Sequence, residues 1–233
     1  MEIIRTDERG YFNHGWLKTY HTFSFAGYYN PERMHFGLLR VLNDDIVQGN
    51  KGFAIHSHHN MEIISIPLYG KLEHQDSTGE RGIIQAGEVQ VMSAGRGIQH
   101  SERNPEAEPV NFLQIWIFPD AKNIKPRYDQ KKFDETGRIN KIQLLVSPDS
   151  AEGSLRIHQN AFLSRIKITN WVPFTYKRFD DKNGIYAFVL ENDIQIGELT
   201  CNRRDSLLVK PGETLKIVPC NEPQLLFIEV PMS

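Results

Sequence analysis

Short runs of apolar and aromatic residues, each closed by a turn, recur along this chain. Met61-Glu62-Ile63-Ile64-Ser65-Ile66-Pro67-Leu68 ends at Tyr69-Gly70, and Gly82-Ile83-Ile84-Gln85 ends at Ala86-Gly87-Glu88. Phe112-Leu113-Gln114-Ile115-Trp116-Ile117-Phe118 ends at Pro119-Asp120. Short strands spaced this closely predict an all-β sandwich or small barrel. No long stretch keeps a 3.6-residue period, so helix is a minor component.

The pattern breaks between Pro119 and Arg138. Asp120, Lys122, Lys125, Pro126, Arg127, Lys131, Lys132, Asp134 and Glu135 leave few apolar positions there, as in a linker between two β units. Strands resume at Ile142-Gln143-Leu144-Leu145-Val146. The halves resemble diverged copies of one plan. Gln85-Ala86-Gly87-Glu88-Val89 in the first is matched by Lys210-Pro211-Gly212-Glu213-Thr214 in the second, each placed as a turn between strands. We expect two stacked barrels, one over residues 1–135 and one over 136–233.

Bulk properties narrow the function without naming it. A length of 233 residues allows one large β domain or two small ones. A net charge of -2, with scattered Lys and Arg, gives no electrostatic reason to expect nucleic acid or an anionic membrane as partner. Cys201 and Cys220 form no C-x-x-C and read as free thiols in a reducing compartment. The first residues are charged where a secretory signal needs an apolar run, and no stretch nears the roughly 18 apolar residues of a membrane span. The expected location is the cytoplasm.

Eight of the nine histidines lie at or before residue 100. His56-Ser57-His58 is an i, i+2 pair, and on a strand both side chains share a face. His100-Ser101-Glu102 is a second such pair, with a carboxylate. Placed opposite one another across a narrow barrel, the two strands would converge four ligands inward. Three imidazoles and a carboxylate leave a six-coordinate ion open positions, which suits Fe(II), Mn(II), Ni(II), Co(II) or Cu(II) better than a closed structural zinc site. His59 would face away from His58. Spacing also leaves Glu62, four residues past His58, as a rival fourth ligand.

These blocks resemble the two cupin motifs, and more specifically the pirin family. Gly52-Phe53-Ala54-Ile55-His56-Ser57-His58 with Glu62 and Gly70 follows the first motif. Gly87, Ser93-Ala94-Gly95, His100 and Asn104 follow the second, with serine for the usual proline and a longer gap before His100, both pirin-like departures. Met92-Ser93-Ala94-Gly95-Arg96-Gly97-Ile98-Gln99-His100-Ser101-Glu102 is similar to the family's most recognisable block, and His21-Thr22-Phe23-Ser24-Phe25 to its N-terminal strand. Lys125-Pro126-Arg127-Tyr128 resembles its interdomain segment. Glu73-His74-Gln75-Asp76-Ser77 and Ser154–Gln159 resemble blocks of bacterial pirin-like quercetinases.

The resemblance implies a bicupin of two jelly-roll-like barrels, with metal only in the N-terminal one. It implies Glu102 rather than Glu62 as the fourth ligand, with Glu62 a neighbouring carboxylate. The activity implied is that of a quercetin 2,3-dioxygenase, cleaving a flavonol ring with O2 and releasing carbon monoxide, with Glu102 (or Glu62) as base. Fe(II) is the first expectation for the ion, with Mn, Ni, Co, Cu or Zn as alternatives. Phe53, Met92 and Phe23 are candidate pocket walls that read first as plain barrel core, and His74 is a candidate neighbour of the site. The alternative is a redox-sensing regulator that binds a protein partner through a surface controlled by its metal.

Overall fold

The computed structural model describes all 233 residues. The N-terminal half contributes β1 (Glu2–Ile4), β2 (Gly10–Asn13), β3 (Leu17–His21), β4 (Leu39–Val47), β5 (Gly52–His58) and β6 (Glu62–Tyr69). It continues with β7 (Lys71–Asp76), β8 (Arg81–Gln85), β9 (Glu88–Ser93), β10 (Ile98–Arg103), β11 (Val110–Ile117) and β12 (Arg127–Lys132). The C-terminal half adds β13 (Gln143–Ser147), β14 (Leu155–Arg156), β15 (Phe162–Lys167) and β16 (Phe174–Thr175). It ends with β17 (Gly184–Ile196), β18 (Leu199–Cys201), β19 (Ser206–Val209) and β20 (Lys216–Val230). Helix is confined to three single 3₁₀ turns.

The first barrel closes a four-stranded sheet, β5-β10-β7-β8, over a seven-stranded one, β12-β9-β6-β11-β4-β3-β2. The second is built on a nine-stranded sheet, β1-β19-β17-β20-β15-β13-β14 with β16 and β18 on its flanks. Strand alternation gives the seven-stranded sheet two buried faces. Ile64, Ile66, Leu113, Ile115 and Ile117 pack outward into a 24-residue core with Leu145, Leu163, Tyr186 and Leu226 of the second barrel. Ile63, Phe112 and Met92 point into the first barrel, where they join two smaller clusters. The second barrel has its own core around Ile185, Val189, Leu215 and Phe227. This is the bicupin arrangement the motifs imply.

The segment read as a linker is partly a strand. Arg127–Lys132 forms β12, paired along its length with Glu88–Ser93. Its charged composition follows from its place at the sheet's edge, where side chains remain largely solvated. A division at residue 135 falls between β12 and β13, but the ends of the chain cross it. β1 pairs with β19 of the second barrel, Glu2 opposite Leu208. The Leu38 amide donates to Pro231 O at 2.9 Å, so the C-terminal tail docks on the first barrel. Both cysteines are free, and no helix is long and apolar enough to cross a membrane.

Candidate metal centre

The two histidine-bearing strands are neighbours in one sheet, not opposite walls. β5 and β10 run antiparallel with His100 across from His56 and Ile98 across from His58. The register then slips, so that Glu102 pairs with Phe53. Two residues of β5, Ala54 and Ile55, stand against one of β10, Ser101, a bulge that re-aims the carboxylate relative to the imidazoles. Gly52 permits this close approach, since a Cβ there would lie 2.1 Å from the Glu102 carbonyl oxygen. The rings of His56, His58 and His100 have centroids 4.4 to 4.9 Å apart, and their donor atoms lie within 4.8 Å of one another. His100 also joins Glu102 and His74 in a second cluster of the same tightness.

Each ring presents a lone pair. His56 Nδ1 lies 2.8 Å from Ala54 O, a pure acceptor, so Nδ1 carries the proton and Nε2 is free. Burial lowers the His58 pKa to about 4, and the neighbouring His56 adds to the effect. Burial and the other histidines lower His100 to about 2. Both are neutral at pH 7, the form that binds metal. His100 Nε2 is buried without a hydrogen-bond partner.

Glu102 is buried, and burial raises its pKa despite the opposing hydrogen bonds from Gln114. Gln114 Nε2 donates to its two oxygens at 3.1 and 2.9 Å, and Ser65 Oγ, which donates to Gln114 Oε1 at 3.0 Å, lies 3.4 Å from Glu102 Oε1. No cationic side chain is among its hydrogen-bond partners. A carboxylate desolvated in this way beside neutral imidazoles, one of them with an orphaned nitrogen, fits a divalent transition metal.

The facing wall is β6 and β11 of the larger sheet, which sequence reasoning did not assign to the site. Ser65 and Gln114 reach Glu102, and Trp116 sets its ring edge-on to His58 at 4.8 Å. A lone polar residue inside each apolar run was the available signal. Gln90 and Asn43 pair with Ser65 and Gln114 and share their inward face. Asp45, also on that face, is raised to about 7 by burial, with the charges of Asp44 and Glu102 adding to the effect.

The remaining candidates divide between the two faces. Glu62 does not stand beside the cluster of His56, His58, His100 and Glu102. It shares the outward face of β6 with Ile64, accepts from Ser93 Oγ at 2.8 Å and lies 3.6 Å from His158 of the second barrel. Phe23 is likewise at the barrel–barrel contact, packed on Tyr186. Met92 points inward but is core, with Ile63, Ala94 and Ile98. Phe53 packs against Trp16. His74 is buried and its Nδ1 lies 3.3 Å from His100 Nδ1. His59 is exposed. A cavity of about 320 Å³ opens onto the cluster between His58, His59, Ser77, Gly97 and Ile98. A cavity of about 970 Å³ lies between the barrels and contains none of the cluster residues.

The fold and this constellation have known counterparts. The chain is 38% identical over 230 residues to quercetin 2,3-dioxygenase of Escherichia coli (strain K12), covering 98% of each. It is 36% identical over 224 residues to the pirin-like protein of Caulobacter vibrioides, covering 96% of each. The solved structure of the bacterial pirin YhhW from Escherichia coli in complex with nickel(II) superposes with a TM-score of 0.93 at 36% identity, over 100% of this chain and 99% of that one. Residues 4–117, which hold the whole His/Glu cluster, match the pirin family model, and residues 144–230 match the quercetinase C-terminal cupin domain. Two cupin barrels with the histidine cluster in the first therefore belong here to a member of the pirin family.

Proposed function

We propose that this chain is a metal-dependent dioxygenase that opens the heterocyclic ring of flavonols such as quercetin with O2, releasing carbon monoxide. His56, His58, His100 and Glu102 are the residues we assign to hold one divalent ion. Fe(II) is the ion we place first, and Mn, Ni, Co, Cu and Zn are alternatives for the same donors. The observation that carries the reading is the cluster itself: His56, His58 and His100 converge, the buried carboxylate of Glu102 joins them at His100, and a cavity borders the group at His58. The name of the 38%-identical relative supports the substrate class, and the nickel complex of the bacterial pirin supports a divalent ion.

A bound divalent ion would supply Lewis acidity at the substrate's 3-oxygen and a meeting place for substrate and O2. The protein's own residues do the rest. Glu102 accepts the proton of the 3-hydroxyl, and its burial favours that step by raising its affinity for the proton. Gln114 holds both carboxylate oxygens, so the base is fixed in orientation before substrate arrives. Trp116, braced edge-on by Phe25 at 5.2 Å, packs its ring against His58 and holds that imidazole in place. At about 320 Å³ the cavity lies at the small end of ligand sites, which run to roughly 300–1,000 Å³.

The test is oxygen uptake with a small flavonol panel, using protein stripped of metal and then restored with each ion. Uptake that returns with metal supports the assignment. Uptake unchanged by stripping refutes it, and background uptake with every ion favours the regulatory alternative.

A further inference from the structure

His74 and Asp76 project inward from β7, the strand on the other side of β10 from β5. Asp76 lies across from His100 and His74 across from Glu102. Both side chains are fully buried. His74 Nε2 is 3.0 Å from Asp76 Oδ2, and His74 Nδ1 is 3.3 Å from His100 Nδ1. The other Asp76 oxygen accepts from the Thr78 amide at 2.8 Å and the Thr78 hydroxyl at 2.6 Å. Tyr128 stacks on His74 with centroids 4.8 Å apart and the planes at 25°.

The protons in this chain can be placed by elimination. Asp76, taking two donors on Oδ1, is an anion and acts as an acceptor at Oδ2 as well. As a neutral imidazole, His74 then carries its proton on Nε2, which leaves Nδ1 as an acceptor. Two facing nitrogens cannot both accept, so His100 Nδ1 carries the proton between them. The lone pair of His100 is then on Nε2, the buried atom without a partner.

We infer that His74 and Asp76 form a positioning relay that fixes the tautomer of His100 and strengthens it as a metal donor. The inference rests on the proposed metal site and goes beyond its ligand set. The Asp76 charge, passed through two imidazoles, draws the Nδ1 proton and makes Nε2 more basic, the role such outer partners play at metal sites. His74 is on this reading not a ligand, although it clusters with His100 and Glu102.

Asp76→Asn is the sharpest perturbation. Thr78 still needs an acceptor, so the amide nitrogen takes the position facing His74 Nε2. That nitrogen donates, His74 turns to the other tautomer, and its Nδ1 proton then collides with that of His100. The expected result is a 10- to 100-fold rise in the zinc dissociation constant, measured by competition with a chelator. His74→Phe keeps the stack on Tyr128 and removes the acceptor, and should weaken zinc to a similar degree. Gln75→Ala, on the exposed face of the same strand, should leave the constant within twofold. Nitrogen-15 NMR of the wild-type protein reads the same chain without any variant. Metal-free protein should show His74 protonated on Nε2 and His100 on Nδ1, and zinc should bind His100 at Nε2 and leave His74 free. Zinc affinity within twofold of wild type in both variants overturns the relay, as does His74 found as a zinc ligand or His100 protonated on Nε2. Wild-type protein that binds no divalent ion overturns the metal site and the relay together, so the two failures are distinguishable.

Discussion

Replacing Glu62 by glutamine separates the two carboxylates that spacing leaves as rival ligands. Glu62 Oε2 accepts from Ser93 Oγ at 2.8 Å and from the His158 amide at 3.3 Å. Oε1 is buried with no hydrogen bond. Burial raises the carboxyl to about 7 from an ordinary 4.5. The folded state therefore holds this proton where the unfolded chain has released it, and stability falls as pH rises between those two values. At about 1.4 kcal/mol per pH unit, the charged form costs about 3 kcal/mol once pH exceeds 7, and about 1 kcal/mol or less at pH 5. Glutamine keeps an oxygen for Ser93 and His158 and has no charge to bury. Metal-free Glu62→Gln should thus exceed wild type by about 3 kcal/mol in urea unfolding at pH 8 and lie within about 1 kcal/mol of it at pH 5. The comparison between the two proteins cancels the titrating groups that lie away from Glu62. Metal content should be unchanged. An equal gain at both pH values, no gain at pH 8, or loss of metal would show that Glu62 is not the outward-facing buried acid described here.

Four further substitutions bear on the site. His56→Ala and His100→Ala should each lose metal through desalting together with quercetin-dependent oxygen uptake, and full metal retention in either would remove that residue from the ligand set. Gln114→Leu takes the amide that bridges both oxygens of a buried carboxylate, at about 1.5–3 kcal/mol for a bond to a charged group. It should lower both the melting temperature at pH 8 and kcat, and a variant with wild-type values of both would deny Gln114 its part in holding Glu102. Gly52→Ala forces a Cβ against the Glu102 carbonyl at 2.1 Å and must push β5 off β10. The expected cost is about 1–3 kcal/mol, with at least a tenfold loss of metal affinity, and titration with unchanged affinity would show that the bulge tolerates a side chain.

The strand pattern was legible because turns punctuate it and both barrels bury one face of nearly every strand. The His-x-His and His-x-Glu pairs were legible because a period of two places both members on one face. Which face that is was not legible around β6. The run from Met61 to Leu68 is apolar on both sides, because one side fills the first barrel and the other meets the second. Alternation then cannot tell inward from outward, and Glu62 and Phe23 were drawn toward the site although they lie at the contact between barrels. β12 was missed as a strand because it is an exposed, charged edge. The pairing of Glu2–Ile4 with Ser206–Leu208 joins residues some 200 positions apart and leaves no local trace. Ser65, Gln114 and Trp116 were within reach as the polar and aromatic interruptions on one parity of two apolar strands. Asp76 was not, since its importance comes from a register between β7 and β10 that no single segment encodes.

The most direct measurement is the gas balance of a quercetin reaction run with metal-restored protein. Oxygen consumed and carbon monoxide released are recorded together, alongside metal-stripped protein and His100→Ala. Ring-opening dioxygenation predicts carbon monoxide equal mole for mole to oxygen consumed, with both gases at background in the two controls. Oxygen uptake without carbon monoxide, or equal release from stripped protein, would contradict it.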